Sequence, residues 1–147
     1  IQGIEVRTSP EKASQDIPAT WQRFMQGGFL QRLPLKAGSG HLYAVYCNYE
    51  RDHAGPYTMV IGVPVDDVTS AIPETRTVQI PAGRYAAFHA KGDISKVIWG
   101  AWNHINTAWD GRKDRRYVAD FERYPLASLA LMQQGQVAAD VVVGLKE

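Results

Sequence analysis

The chain predicts an α+β fold made of two βαββ units, with a mainly antiparallel sheet, two helices and a groove where the halves meet. Three observations predict it. The segments run strand, helix, strand, strand, and then repeat that order. Two stretches, Ile17 to Met25 and Ile94 to Trp109, carry apolar residues at helical spacing. The halves can also be laid over one another, "LYAVYCNY" on "YVADFERY" and "VIGVPV" on "VVGLKE". That alignment sets Tyr46 on Phe121, Cys47 on Glu122, Tyr49 on Tyr124 and Gly62 on Gly144. At 147 residues the chain suits a single domain with a real core. Repeat one covers about residues 1–65, a linker about 66–76, and repeat two about 77–147.

"GIEVRTS" opens the chain as a strand. "IPATWQRFM" follows as a helix, with Asp16 as its N-cap and Pro18 in its first turn. Ile17, Trp21, Phe24 and Met25 share one helical face. "QGGFLQRLPLKAGSG" reads as a loop because its glycines interrupt the periodicity. "HLYAVYCNY" and "YTMVIGVPV" are two strands joined by the polar loop "ERDHAGP". "DDVTSAIPET" is a linker, and a new strand starts after the Pro-Ala-Gly turn that ends at Gly83. "DISKVIWGAWNHINTAW" is the second helix, capped by Asp93, with Ile94, Ile98, Ala101, Trp102, Ile105 and Trp109 along one side. "YVADFERY" and "VAADVVVGLKE" complete the sheet.

Composition excludes several functions. Net charge is +1 with lysine and arginine dispersed, so the basic stripe needed for direct nucleic-acid contact is missing. "RKDRR", Arg112 to Arg116, reads as a solvated loop. The single cysteine, Cys47, rules out an intramolecular disulfide and a Cys-rich zinc site. His41, His53, His89 and His104 lack metal-ligand spacing, and no cofactor fingerprint is present. "AGSGH" is neither a P-loop nor a nucleophile elbow. With no membrane-length apolar run and no leader pattern, the expected location is the cytoplasm.

One residue stands out against this background. Glu122 lies inside the strand "YVADFERYPL", on the face of Tyr124 and opposite Phe121 and Arg123. It can point to solvent or inward, and its alignment with Cys47 favours inward. A buried carboxylate needs a partner. A cation at ~4 Å and an effective dielectric of ~20 supplies on the order of 4 kcal/mol before desolvation. Aromatic faces add roughly 0.5–2 kcal/mol each when desolvated.

The segments "IPAGRYAAFHAKG" and "DFERYPL", with a Trp-bearing helix between them, resemble the GyrI-like small-molecule-binding family. That family includes the effector-binding domains of Rob- and BmrR-type transcription activators. "IEVRTS", "TWQRF" and "HLYAVYCNYE…YTMVIGVPV" resemble its first repeat, so the likeness spans the whole chain. It is most similar to free-standing drug-binding proteins of integron gene cassettes. The resemblance implies a ligand groove between two βαββ units and assigns to Glu122 the buried acid that meets cationic drugs. It implies an aromatic wall formed by Trp21, Phe24, Trp99 and Trp102 from the helices and Tyr46, Tyr49 and Phe88 from the strands. Periodicity alone puts Trp21, Phe24 and Trp102 on core stripes and displaces Trp99 from its stripe.

The expectation is a stand-alone binding module for amphipathic, cationic small molecules, without cofactor or metal and without its own DNA-binding domain. One alternative is a hydrolase of strained electrophiles, with Glu122 as general base and Tyr46 or Tyr49 assisting. A third is a protein-interaction module with an unidentified partner.

Overall fold

The computed structural model describes residues 1–66 and 72–147. The remainder of the expected linker therefore lies outside the described residues. Seven strands form one antiparallel sheet in the order β4-β1-β3-β2-β6-β7-β5. They are β1 (Gln2–Thr8), β2 (His41–Cys47), β3 (Tyr57–Val63), β4 (Arg76–Thr77), β5 (Arg84–Asp93), β6 (Ala119–Pro125) and β7 (Gln136–Leu145). Short β4, at the end of the expected linker, pairs with β1. Otherwise β1-β3-β2 of the first half meets β6-β7-β5 of the second, and the β2–β6 pair forms the seam.

Among the described residues, four α-helices accompany the sheet: α1 (Ala13–Gln26), α2 (Phe29–Arg32), α3 (Val97–Thr107) and α4 (Leu129–Met132). α1 packs on β1 and β3, and α3 on β5 and β7. The seam strands are left as a floor between the two long helices.

Local details differ from the sequence expectations. α1 starts at Ala13, one turn early, so Asp16 falls in its first turn and accepts a hydrogen bond from the Thr8 hydroxyl at 2.8 Å. Asp93 turns the chain ahead of α3 by accepting from the Ser95 amide and hydroxyl, but the helix itself begins only at Val97. Met25, placed on the core stripe, is exposed. The expected Gly-rich loop holds a single turn of helix, α2, because Gly28 adopts a left-handed conformation at φ 68° and redirects the chain. Phe29 can then stack on Phe24, with ring centroids 5.9 Å apart.

The expected overlay of "LYAVYCNY" on "YVADFERY" is off by an odd number of residues, whereas Gly62 and Gly144 do lie on the same face of the sheet. Residues directly opposite in an antiparallel pair share a face. Glu122 lies opposite Ala44, and Tyr46 opposite Asp120. Ala44, Tyr46, Asp120, Glu122 and Tyr124 therefore face the helices. Cys47 and Val45 are buried against Phe121 and Val142 on the reverse face. Setting Cys47 on Glu122, or Tyr46 on Phe121, superposes residues from opposite faces. Period 2 makes any such shift fatal.

Candidate functional site

Glu122 sits in the middle of β6, on the uncovered seam, and is only 3% exposed. Its carboxylate is well supplied with donors. The Tyr46 hydroxyl donates to Oε2 at 2.6 Å, and the Trp102 indole Nε1 donates to the same oxygen at 2.7 Å. The Tyr124 hydroxyl donates to Oε1. These donors arrive from β2, α3 and β6, so the acid knits the two halves together. All three are neutral, and among the described residues no lysine or arginine forms an ion pair with Glu122. Burial, and then the charge of Glu122, pushes the phenols of Tyr46 and Tyr124 well above the usual tyrosine range. Tyr57 is raised to about 12 by the same two causes. At neutral pH these phenols remain protonated.

Two adjoining chambers open over this floor. The larger, about 790 Å³, is bordered by Glu122 and Tyr124 below, Trp21 and Ile17 of α1 on one side, and Trp99 and Trp102 of α3 on the other. The smaller, about 260 Å³, shares Tyr46, Trp99 and Trp102 with it and continues toward Tyr49, Asn106 and Arg115. Trp21 meets Tyr124 edge to face at 5.2 Å, and Trp102 meets Tyr46 likewise at 5.2 Å. The carboxylate is thus flanked by two aromatic pairs. Trp99 is 71% exposed and stands at the rim, which explains its displacement from the α3 stripe.

Two of the expected wall residues are elsewhere. Phe24 is completely buried between α1 and α2 and borders neither chamber. Its stripe position makes it core. Phe88 lies on the helix face of the sheet, but two strands from the seam on β5. There it packs against His104 and Trp109, the latter at 5.0 Å. Tyr49 borders the smaller chamber. Its hydroxyl, however, donates to Asp120 at 2.5 Å and not to Glu122. Asn48, at φ 50°, turns the chain at the end of β2 so that Tyr49 comes back toward the helices.

Sequence reasoning missed a second buried acid. Asp120 lies two residues before Glu122 on the same face and is completely buried. Its Oδ2 accepts from Arg115 Nη2 at 2.8 Å and its Oδ1 from the Gly144 amide at 2.8 Å. Arg115 belongs to the run expected to be a solvated loop, yet it is 2% exposed. Its guanidinium packs over Tyr117, 4.4 Å from the ring centroid, and also bonds Asn106 Oδ1. The period-2 pattern gave Asp120 the same face as Glu122, which was a usable signal. Nothing in the run "RKDRR" marked one arginine as inward.

Among the described residues no cluster of His, Cys, Asp or Glu is placed to hold a metal ion. No helix among them is long and apolar enough to cross a membrane.

Comparison with known proteins agrees with this architecture. YobU of Bacillus subtilis (strain 168), a protein proposed to be a transcriptional regulator, is 31% identical over 151 residues, spanning 99% of this chain and 91% of YobU. The integron cassette protein VCH_CASS2 from the mobile metagenome of Vibrio cholerae superposes with a TM-score of 0.67 at 19% identity, covering 99% of this chain and 88% of the other. SAV2435, solved bound to tetraphenylphosphonium, superposes with a TM-score of 0.76 at 19% identity, covering 99% and 87%. Residues 1–141 match the family described as "Cass2: Integron-associated effector binding protein". This chain, an antiparallel α+β fold with a cleft over its central seam, belongs to the Cass2 family of small-molecule effector-binding proteins.

Proposed function

We propose that the cleft binds an amphipathic organic cation with flat aromatic groups, and that Glu122 is its counter-charge. The observation that carries this proposal is a carboxylate 3% exposed, bordering an aromatic chamber and, among the described residues, hydrogen-bonded only by neutral groups. Three neutral donors hold the acid in place without cancelling its charge. A carboxylate has about four acceptor positions, so one direction stays open after three are used. A lipophilic cation arriving there has attraction on the order of 4 kcal/mol at an effective dielectric of ~20, less the cost of removing both charges from water. Trp21, Trp99, Trp102 and Tyr46 supply aromatic surface, with cation–π attraction of roughly 0.5–2 kcal/mol where a ring face is presented. The tetraphenylphosphonium seen on SAV2435 has this chemistry and is a natural first probe.

In this proposal the two βαββ repeats, about residues 1–65 and 77–147, act as one domain with a single shared ligand site. Repeat one brings Trp21 and Tyr46, and repeat two brings Trp99, Trp102 and Glu122. Titrating tetraphenylphosphonium while following tryptophan fluorescence tests the idea. Glu122→Gln should weaken binding about 10- to 100-fold, while neutral triphenylphosphine oxide should bind both proteins alike. Equal tetraphenylphosphonium affinity in the two proteins removes Glu122 from the mechanism.

The Tyr46–Glu122 hydrogen bond at 2.6 Å favours one second use of the site. The pair could activate water against a strained electrophile, with general-base help worth roughly 10²–10⁴-fold. That use requires product formation from a cyclopropane-containing compound, abolished in a Glu122→Gln protein that still binds it.

A further inference from the structure

The smaller chamber has a chemistry of its own. Arg115 borders it from the far side, with Asn106, His53 and Tyr57 nearby. The guanidinium uses Nη1 on Asn106 and Nη2 on Asp120, but its Nε–H is buried and has no acceptor. A buried donor left unpaired is costly and uncommon, so each one calls for an explanation. Arg116 Nε is likewise unpaired but borders neither chamber of the cleft. The Asn106 carbonyl is taken by Arg115, while its amide nitrogen donates to no described residue. Two unused donors, the buried Nε–H of Arg115 and the amide of Asn106, therefore belong to residues that border one end of the cleft, whose other end holds an acid. Because Asp120 neutralises Arg115, the chamber has little net charge to offer an anion. A neutral oxygen acceptor matches it better.

Building on the cation site proposed at Glu122, the geometry points to a two-part ligand whose far end carries a carbonyl oxygen received by Arg115 and Asn106. The cationic aromatic part lies in the larger chamber beneath Trp21 and Trp99. The linker runs along Ile17, Tyr46, Trp99 and Trp102, which border both chambers. An amide or ester on a short flexible tail fits this description.

Two matched probes test it: hexyltriphenylphosphonium and (5-carbamoylpentyl)triphenylphosphonium. They share the cation and the chain length and differ only at the tip. The wild-type protein should bind the amide-tipped probe about tenfold more tightly, the combined gain of the hydrogen bonds from Arg115 and Asn106. In Asn106→Ala that ratio should fall to about twofold or less, since one of the two donors is gone. The ratio is taken within each protein, so a general loss of stability cancels. As a readout that needs no variant, the Arg115 Nε–H resonance in ¹⁵N-arginine-labelled protein should shift with the amide-tipped probe and not with the hexyl one. If both probes bind equally and the resonance does not move, the carbonyl subsite is wrong and the cation site stands. If neither probe binds, both fall together.

Discussion

Asp120 and Glu122 stand two residues apart on one face of β6, equally removed from water, and are held in opposite ways. Asp120 has an arginine 2.8 Å away, a backbone amide and a phenol. Its charge is cancelled from within the chain, although it accepts the same number of hydrogen bonds as Glu122. Glu122 has two phenols and an indole but, among the described residues, no cation. The contrast teaches that burial of an acid does not by itself mark a binding site. Under the proposed function the nature of its partners does: an internally neutralised acid belongs to the framework, whereas one held by neutral donors keeps its charge for a ligand.

The largest expected effect tests this division directly. Arg115→Ala leaves Asp120 buried without its counter-ion and should cost about 3–5 kcal/mol of stability. Glu122→Gln keeps an oxygen acceptor at the site and should cost about 1 kcal/mol or less. Urea unfolding measures both. Comparable losses in the two variants would erase the distinction between framework and receptor.

A smaller effect concerns the tyrosines that serve the two acids. Burial first, and then the neighbouring carboxylate, raises Tyr46, Tyr49 and Tyr124 well above 10. In the unfolded chain these phenols ionise near pH 10, while in the folded chain they keep their protons. Above that pH the unfolded state binds fewer protons, so stability is full below about pH 10 and falls as pH rises, by about 1.4 kcal/mol per unit for each tyrosine. Tyr46→Phe and Tyr49→Phe should each make the alkaline decline shallower in urea titrations at about pH 9 to 11. Only Tyr46→Phe should also alter tetraphenylphosphonium binding. Loss of binding in both variants would merge the two acids into one site.

The smallest effect belongs to the rim. Trp99 is 71% exposed, so Trp99→Ala should hardly change the urea midpoint. Its contribution to ligand affinity should be about 0.5–1 kcal/mol, as for an exposed cation–π contact. A calorimetric titration that shows no loss would confine the aromatic wall to Trp21 and Trp102.

Much of this architecture can be read from the residues. Alternation in "ADFERYP" places Asp120, Glu122 and Tyr124 on one face without any coordinates, because side chains in a strand can point only two ways. Helical spacing likewise predicts Phe24 and Ile105 as core. The lining of the cleft is less legible. Phe88 faces the helices, as its strand allows, but its distance from the seam depends on strand order, which is a tertiary property. Arg115 is drawn inward by Asp120 and Asn106, which meet it only after α3 and β6 have packed. The overlay of "LYAVYCNY" on "YVADFERY" failed because an odd shift preserves hydrophobicity while exchanging the two sides of a sheet.

The seam has a mechanical consequence. Tyr46 and Glu122 are 76 positions apart along the chain and 2.6 Å apart across the β2–β6 junction. A guest bound in the proposed position above them would touch both arms of the molecule and clasp them like a rivet through two plates. Its free energy of association would then add to the cooperative melting of the entire polypeptide. Neither arm separated from the other would have anything to grip.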